Sequence, residues 1–352
     1  MAGREPEAGA DHAERVLRAA RLLQAGELVA FPTETVYGLG ADASDARAVA
    51  KIFAAKGRPS DHPVIVHVID AKAADAWAAE VPPLARTLMA AFWPGPLTLI
   101  LKRAAWVPPA VSGGQDSVGL RCPSHPLAQA LLRTFADLKG DPAAGVAAPS
   151  ANKFGKVSPT AAAHVRAEFP AGHRPPVEVL DGGPSDVGIE STILDLSRLE
   201  RTGGPVLLRP GGVSARQIAE ACGVMPLPPD VQAPRASGTL TAHYAPSTPL
   251  YLADSKQIRE TLAALAEPGY AGGKLGLVTH AKQAVPDAAA GRVIRALMLA
   301  DPAGYAHALY ATLREMDALG LERILVERPP ADAGWDGVND RLGRAAAAFE
   351  GT

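Results

Sequence analysis

The stretch KGRPSDHPVIVHV, Lys56–Val68, closes one kind of secondary structure and opens another. Upstream of it, Val49, Ile52 and Phe53 recur at the spacing of one helix face, which predicts a helix over 44–55. Gly57 and Pro59 stop that helix, because glycine accepts the left-handed turn that ends helices and proline lacks the N–H to extend one. Downstream, VIVHVI is apolar without alternation, the pattern of a strand covered on both faces. Helix, polar loop and buried strand together indicate an α/β fold. The loop between them carries Lys56, Arg58 and His62, with Asp61 as its one carboxylate. Its cations therefore call for a partner other than protein carboxylate.

The same grammar extends in both directions. Asp11 and Glu14 read as a capping pair for a first helix through Val16, Leu17, Ala20 and Leu23, ended by Gly26. ELVAF follows as a strand and PTETVYGLGADA as a loop; further strands are LTLIL, SVGLR, GVAA, VEVL, STILDL and VLLRP. Helices are predicted over 71–79, 83–92, 125–136, 160–168 and 214–222. From Met225 to Pro249 proline, serine and threonine dominate without periodicity, which reads as a linker. LYLAD, KLGLVTH, RVIRAL and RILVERP then alternate with helical stretches over 255–266, 304–318 and 337–349, a small doubly wound, Rossmann-like unit. The expected organisation is a catalytic domain over 1–224, a linker or lid over 225–248 and a C-terminal α/β domain over 249–352.

A net charge of −2 and 47% hydrophobic residues describe an ordinary globular chain and argue against avid nonspecific nucleic-acid binding. Cys122 and Cys222 suit a reducing compartment and cannot build a disulfide framework or a four-thiolate zinc site. The start MAGREPEAGADHAERV has no apolar h-region, and no run of about 18 apolar residues follows anywhere, so a cytoplasmic address is expected.

Several short motifs imitate known sites. GLGADA, Gly38–Ala43, fits G-x-G-x-x-A, but it stands too far from the preceding strand for a dinucleotide turn and reads as a loop needing positive φ. SANK, Ser150–Lys153, fits S-x-x-K without the companion motifs of serine acyl-enzymes. There is no G-x-x-x-x-G-K-[ST], and His125, His164 and His280 lack metal-ligand spacing. What remains is a set of loops at strand ends rich in hydroxyls, glycines and cations: PTETVYG, KGRPSDHP, SVGLRCPSHP, APSANKFGKVSP, GIEST and LRPGG. Arginine and lysine neutralise phosphate or carboxylate while hydroxyls add uncharged hydrogen bonds, so six such loops together describe a polyanion site.

FPTETVYGLGADA, KGRP with HPVIVHV, FWPGPLTLIL, VGLRCPSHP, APSANKFGKVSPT, GIESTILD, LLRPGG and the later HYAP occur in this order over residues 15–247. This series resembles the YrdC-like threonylcarbamoyl-AMP synthases in their long two-domain form. The resemblance implies a large twisted mixed sheet with helices forming a concave site. It implies synthesis of L-threonylcarbamoyl-adenylate from L-threonine, bicarbonate and ATP with release of pyrophosphate, for N6-threonylcarbamoyladenosine in tRNA. It places Thr35, His67, Arg121, Ala148 and Ser191 around L-threonine, and Arg58, His62, Ser117, Ser150, Ser158, Arg209 and Tyr244 around ATP. Lys56 is implied to hold bicarbonate or the α-phosphate, and Lys56 and Arg58 to be the catalytic pair. Position 62 is more often asparagine in this pattern. Mg²⁺ is expected on the ATP phosphates, through nucleotide and water oxygens rather than a protein cage.

That chemistry needs no protein nucleophile. A carbamate oxygen attacks the α-phosphorus in line, and the protein contributes positioning and fixed charge. His243 and Tyr244 within the linker suggest a lid over the nucleotide. The alternatives are a carbamoyl-adenylate-forming carbamoyltransferase, disfavoured by only two cysteines, and a double-stranded RNA-binding module. Further expected partners are tRNA or a downstream threonylcarbamoyl transferase.

Overall fold

The computed structural model describes residues 5–350, with side chains from residue 11 onward. Residues 1–4 and 351–352, which include part of the start read as lacking a leader and the outer ends of the two domain ranges, lie outside the described residues. The chain forms two compact units. The larger runs through Phe154 and takes in Pro159–Asp186 and Glu190–Thr239. The smaller gathers Gly155–Ser158, Val187–Ile189 and the chain from Leu240. The segment 225–248 read as a linker is thus divided, 225–239 packing in the larger unit and 240–248 in the smaller.

In chain order the larger unit comprises α1 (Glu5–Gln24), β1 (Leu28–Phe31), β2 (Gly38–Asp42), α2 (Ala46–Lys56), β3 (Ile65–His67), α3 (Ala74–Trp77), α4 (Pro83–Phe92), β4 (Leu97–Lys102), α5 (Pro109–Ser112), β5 (Ser117–Arg121), α6 (Pro126–Lys139), β6 (Val146–Ala147), α7 (Ala162–Glu168), β7 (Val177–Val179), β8 (Thr192–Asp195), α8 (Leu199–Thr202), β9 (Val206–Arg209) and α9 (Ala215–Cys222). The strands form one nine-stranded sheet in the order β7-β1-β2-β6-β3-β5-β4-β8-β9. It is mixed: β1–β7, β3–β5 and β4–β8 pair parallel and the remaining neighbours antiparallel.

The helix ahead of the KGRP loop forms for the reasons legible in the sequence. Asp45 caps it, its side chain accepting from the Arg47 N–H at 2.8 Å, and Gly57 ends it at φ +62°. Two expectations need correction. α1 begins at Glu5, so Asp11 and Glu14 lie inside it rather than at its N-cap, although Gly26 does terminate it at φ +75°. GLGADA is neither a dinucleotide turn nor a left-handed loop, since five of its six residues are β2. Its glycines answer to close packing: a Cβ on Gly40 would stand 2.9 Å from both Phe31 and Val146 side chains.

Alternation along the central strands separates two faces. Val66, Leu97, Leu99, Leu101, Val118 and Leu120 point into the main core, where they meet Ile52 of α2, Trp77 of α3, Leu88 of α4 and Val111 of α5. Burying each such aliphatic side chain contributes about 1.5–3 kcal/mol. The opposite face has a smaller apolar cluster, Ile65, Ile100 and Ile193 with Val206, Leu208 and Ala236. Both faces are covered as expected, but the second also carries polar side chains.

The smaller unit holds β10 (Leu250–Ala253), α10 (Ser255–Ala266), β11 (Leu275–Thr279), β12 (Val293–Leu297), α11 (Pro302–Asp317), β13 (Arg323–Glu327) and α12 (Asp336–Ala347). Its four strands are all parallel, in the order β10-β13-β11-β12. Asp254 and Gln257 form a capping box at α10, and buried Glu327 at the end of β13 accepts from the His280 and Ala281 N–H groups that follow β11. No helix among the described residues is long and apolar enough to cross a membrane.

Candidate active site

The polar face of the central sheet is set by register. Ile65 and His67 of β3 stand opposite Gly119 and Arg121 of β5, Gly119 opposite Ile100 of β4, Thr98 opposite Ile193 of β8, and Ile193 opposite Arg209 of β9. With the two-residue period of strands, Ser117 joins Gly119 and Arg121 on this same face. Five strands thus bring together His67, Arg121, Ser117 and Arg209 on an isoleucine floor. Gly119 lies in the middle of that floor, where a Cβ would press to 3.1 Å from Ile100.

The cations of the opening stretch find main-chain oxygens. Lys56, fully buried, donates from Nζ to the Ser150 carbonyl at 2.5 Å and to the Asn152 carbonyl, which ties the end of α2 to the SAN loop. Burial, and after it the charge of Arg58, pushes the Lys56 ammonium well below the usual lysine range. Arg58 Nη2 donates to the Pro63 carbonyl at 2.8 Å, and its guanidinium lies 5.7 Å over the Phe154 ring. His62 meets the same ring edge-on at 5.3 Å, so Phe154 organises both. Burial and then Arg58 lower the His62 pKa, which favours the neutral ring. Asp61 serves neither cation of its own stretch: it pairs with Arg235 at 3.1 Å. Arg235 also donates to the Gly113 carbonyl at 2.9 Å, while its main chain exchanges hydrogen bonds with the Gln115 side chain.

Those contacts strap residues 235–237 beside Ser117, Gly119, Ile65 and Ile193, with which they line one small cleft. Arg209 secures the strap, donating from Nη1 to the Ser237 carbonyl at 2.8 Å. It also donates from Nη2 to Ser191, at 2.8 Å to the carbonyl and 3.2 Å to Oγ. Ser191 Oγ lies 2.8 Å from Thr98 Oγ1, so the hydroxyls predicted in GIEST sit against the sheet face.

Arg121, assigned by resemblance to a carboxylate, already faces one. Its Nη2 stands 2.7 Å from Glu34 Oε1, with both side chains buried and the approach poorly aligned with the N–H. Thr35 Oγ1, next in the chain, lies 2.9 Å from Thr33 Oγ1. Ala148 donates its N–H to the Ile65 carbonyl at 2.9 Å, which sets the APSAN loop along β3. His67 is buried, its ring edge-on to Phe31 at 5.9 Å, with Nδ1 unpartnered. Burial, then Arg121, drops its pKa from 6.5 to about 3.

The His67 shift has a measurable sign. An unfolded histidine takes its proton near pH 6.5 while the folded one refuses it until about 3. Stability is therefore complete above pH 6.5 and is lost as pH falls toward 3, by up to about 1.4 kcal/mol per pH unit. Denaturant unfolding followed between pH 7 and 4 is expected to show this slope, and His67→Gln to flatten it; an unchanged slope in the variant contradicts the assignment.

Two predicted ATP contacts fall in the smaller unit. The Ser158 carbonyl accepts from Arg314 Nε at 3.3 Å, and Arg314 also donates to the Val157 carbonyl. Tyr244 is buried with its ring 5.8 Å from Tyr310 and 5.2 Å from the Arg341 guanidinium. At φ +61° it is the one described non-glycine residue in the left-handed region, a conformation costing about 1–3 kcal/mol that concentrates at functional segments.

Sequence reasoning missed Glu34, Phe154 and Arg235. The first stands in the quoted PTET and the second in ANKFGK, so both were in view without a partner to give them meaning.

A family model described as "Telomere recombination" matches residues 21–211, and one described as "Threonylcarbamoyl-AMP synthase, C-terminal domain" matches residues 213–347. The threonylcarbamoyl-AMP synthase of Pyrococcus abyssi is 38% identical over 322 residues, 88% of this chain and 87% of the relative. That of Bacillus subtilis is 39% identical over 346 residues, 94% of this chain and 93% of the relative. The crystal structure of P. abyssi Sua5 complexed with L-threonine superposes with a TM-score of 0.82 at 35% identity, covering 95% of this chain and 94% of that one. With family models over both halves and relatives matched nearly end to end, this chain belongs to the threonylcarbamoyl-AMP synthase family.

Proposed function

We propose that this chain joins L-threonine, bicarbonate and ATP into threonylcarbamoyl-AMP for tRNA modification. The amine nitrogen bonds to the bicarbonate carbon with loss of water. An oxygen of the resulting carbamate then bonds to the α-phosphorus as pyrophosphate leaves. The observation that carries this reading is the single sheet face on which a buried Arg121, a neutral His67, Arg209 and Ser117 converge, in a member of this family.

In this reading Arg121, His67, Thr35, Ala148 and Ser191 hold threonine. Arg58, His62, Ser117, Ser150 and Arg209 of the larger unit hold ATP. Lys56 fixes the SAN loop and directs its remaining N–H at bicarbonate or the α-phosphate. Catalysis is then positioning plus fixed positive charge. Lys56, Arg58, Arg209 and the hydroxyls of Ser117 and Ser150 suit phosphate oxygens rather than a metal cage, and Mg²⁺ is proposed as an ion carried by the triphosphate. Bound there, it would neutralise phosphate charge. A reducing cytoplasm is the proposed address, which a chain with two cysteines suits.

The test is pyrophosphate release from the purified chain. Release that requires threonine and bicarbonate together is expected; ATP turnover indifferent to threonine, or salt-sensitive tRNA binding without ATP consumption, would overturn the proposal.

A further inference from the structure

Across β11 and β12 the smaller unit leaves part of one sheet face without a helix. Register sets Leu277 beside Arg295 and Thr279 beside Leu297, so strand alternation turns all four side chains to one face. This is the face that α10 covers further across the sheet, where Leu275 and Leu277 meet Ile258, Leu262 and Leu265. A parallel crossover usually carries an α-helix, but the one from β11 to β12 has only a short 3₁₀ helix, Asp287–Arg292, which packs against α10 and ends where β12 begins. Over the carboxyl halves of the two strands a cavity of about 450 Å³ opens, with Lys282 and Gln283 of the following loop in its wall. The chain leaves β11 toward the α10 face and leaves β12 into α11, which packs on the other face with Met316 against Gly276. Such a divergence at the carboxyl ends of parallel strands is where α/β sheets receive ligands.

The lining specifies the ligand. Thr279 is 5% exposed, and no protein group among the described residues hydrogen-bonds its hydroxyl. Lys282 and Arg295 pair with no carboxylate among the described residues. The loop that carries Lys282 is nonetheless fixed, because Glu327 accepts from the His280 N–H at 3.0 Å, the Ala281 N–H at 3.2 Å and Gln283 Nε2 at 3.2 Å. With Ser255 Oγ these donors occupy the Glu327 carboxylate, which shapes the wall and leaves both cations unneutralised. Two cations, one a planar guanidinium, and a hydroxyl suit a phosphate dianion. Leu277 and Leu297 add an apolar surface, and Leu297 is 58% exposed although it shares a face with the helix-covered core. A bare phosphate leaves the leucines and most of the volume unused, whereas a flat base on an esterified phosphate fills both. We infer that the smaller unit binds a nucleoside monophosphate in this cavity, its phosphate on Lys282, Arg295 and Thr279 and its base over Leu277 and Leu297. This inference stands apart from the reaction proposed for the larger unit.

The test is AMP binding to the full chain, measured by calorimetry and located by hydrogen exchange. Because the site proposed for ATP is open to AMP as well, the titrations are run in wild type and in Arg58→Ala, where that site is weakened. In both, AMP is expected to protect residues 277–286 and 293–297. Lys282→Gln and Arg295→Gln are each expected to weaken this binding at least about tenfold, the loss of one charge-assisted hydrogen bond. Adenosine and inorganic phosphate, the two halves of the probe, are expected to bind at least about tenfold more weakly than AMP. Both substituted side chains are exposed, and thermal melting reports that each variant is folded. Protection confined to the larger unit, or AMP affinity unchanged in both variants, overturns the inference. Phosphate binding as tightly as AMP overturns it too, since the cavity is then a simple anion site. So does self-association that Leu297→Glu abolishes, since the bare face is then an interface between copies. Threonine-dependent pyrophosphate release succeeds or fails independently of these outcomes, which keeps the two readings apart.

Discussion

Lys56→Ala and Arg58→Ala are each expected to lower threonine-dependent pyrophosphate release by about 10²–10³-fold, the cost of removing one preorganised electrostatic contact. They should do so by different routes. The Lys56 ammonium holds the carbonyls of Ser150 and Asn152, so its loss removes two charged hydrogen bonds and loosens the loop that carries Ser150 and Phe154. Charged hydrogen bonds are worth about 1.5–3 kcal/mol each, so Lys56→Ala should melt earlier as well as turn over slowly. Arg58 donates to the Pro63 carbonyl and lies over the face of Phe154, a contact of about 0.5–2 kcal/mol, and its removal is expected to raise the KM for ATP with a smaller loss of stability than Lys56→Ala. Phe154→Leu should reproduce part of the Arg58 effect. Melting curves and kinetics on the same preparations check both routes, and near-normal turnover in the two alanine variants would remove Lys56 and Arg58 from the catalytic assignment.

That both residues could be singled out from sequence reflects what short-range pattern carries. The helix stop at Gly57, the strand at Ile65 and the parallel unit after Pro249 depend on periodicity and capping within a dozen residues, and the structure has them where the pattern puts them. β2 was hidden because Gly38 and Gly40 look like turn residues, whereas their actual constraint is the approach of Phe31 from β1 and of Val146 or Ala148 in and just after β6. The same holds for charge. Lys56 meets the loop at Ser150, Arg235 returns to Asp61, and Arg121 meets Glu34, all pairings that depend on strand order. The resemblance supplied candidate roles for positions, but the geometry assigns Asp61 to a strap contact and gives Arg121 a protein partner. The 225–248 segment was read as one linker since proline and serine mask tertiary contacts. Its first part is held by Arg209 and Gln115, and its last part belongs with the smaller unit.

Arg121→Met is expected to abolish measurable threonine binding and to lower the unfolding free energy of the larger unit by about 3–5 kcal/mol, because it strands the Glu34 carboxylate in the interior. Methionine fills much of the arginine stem's volume, so the loss reports charge rather than a cavity. Neutralising the stranded partner should separate fold from function: Arg121→Met with Glu34→Gln is expected to regain a substantial part of the lost stability and none of the threonine affinity. Denaturant unfolding gives the first quantity and calorimetry the second. A double variant no more stable than Arg121→Met would mean that the 2.7 Å contact carries little electrostatic weight. Threonine affinity surviving in either variant would move the carboxylate site away from Arg121. Recovered stability would show that the fold does not need the charges, since a buried ion pair can be replaced by neutral groups without loss, and the affinity that stays lost would then report the role of Arg121 toward threonine.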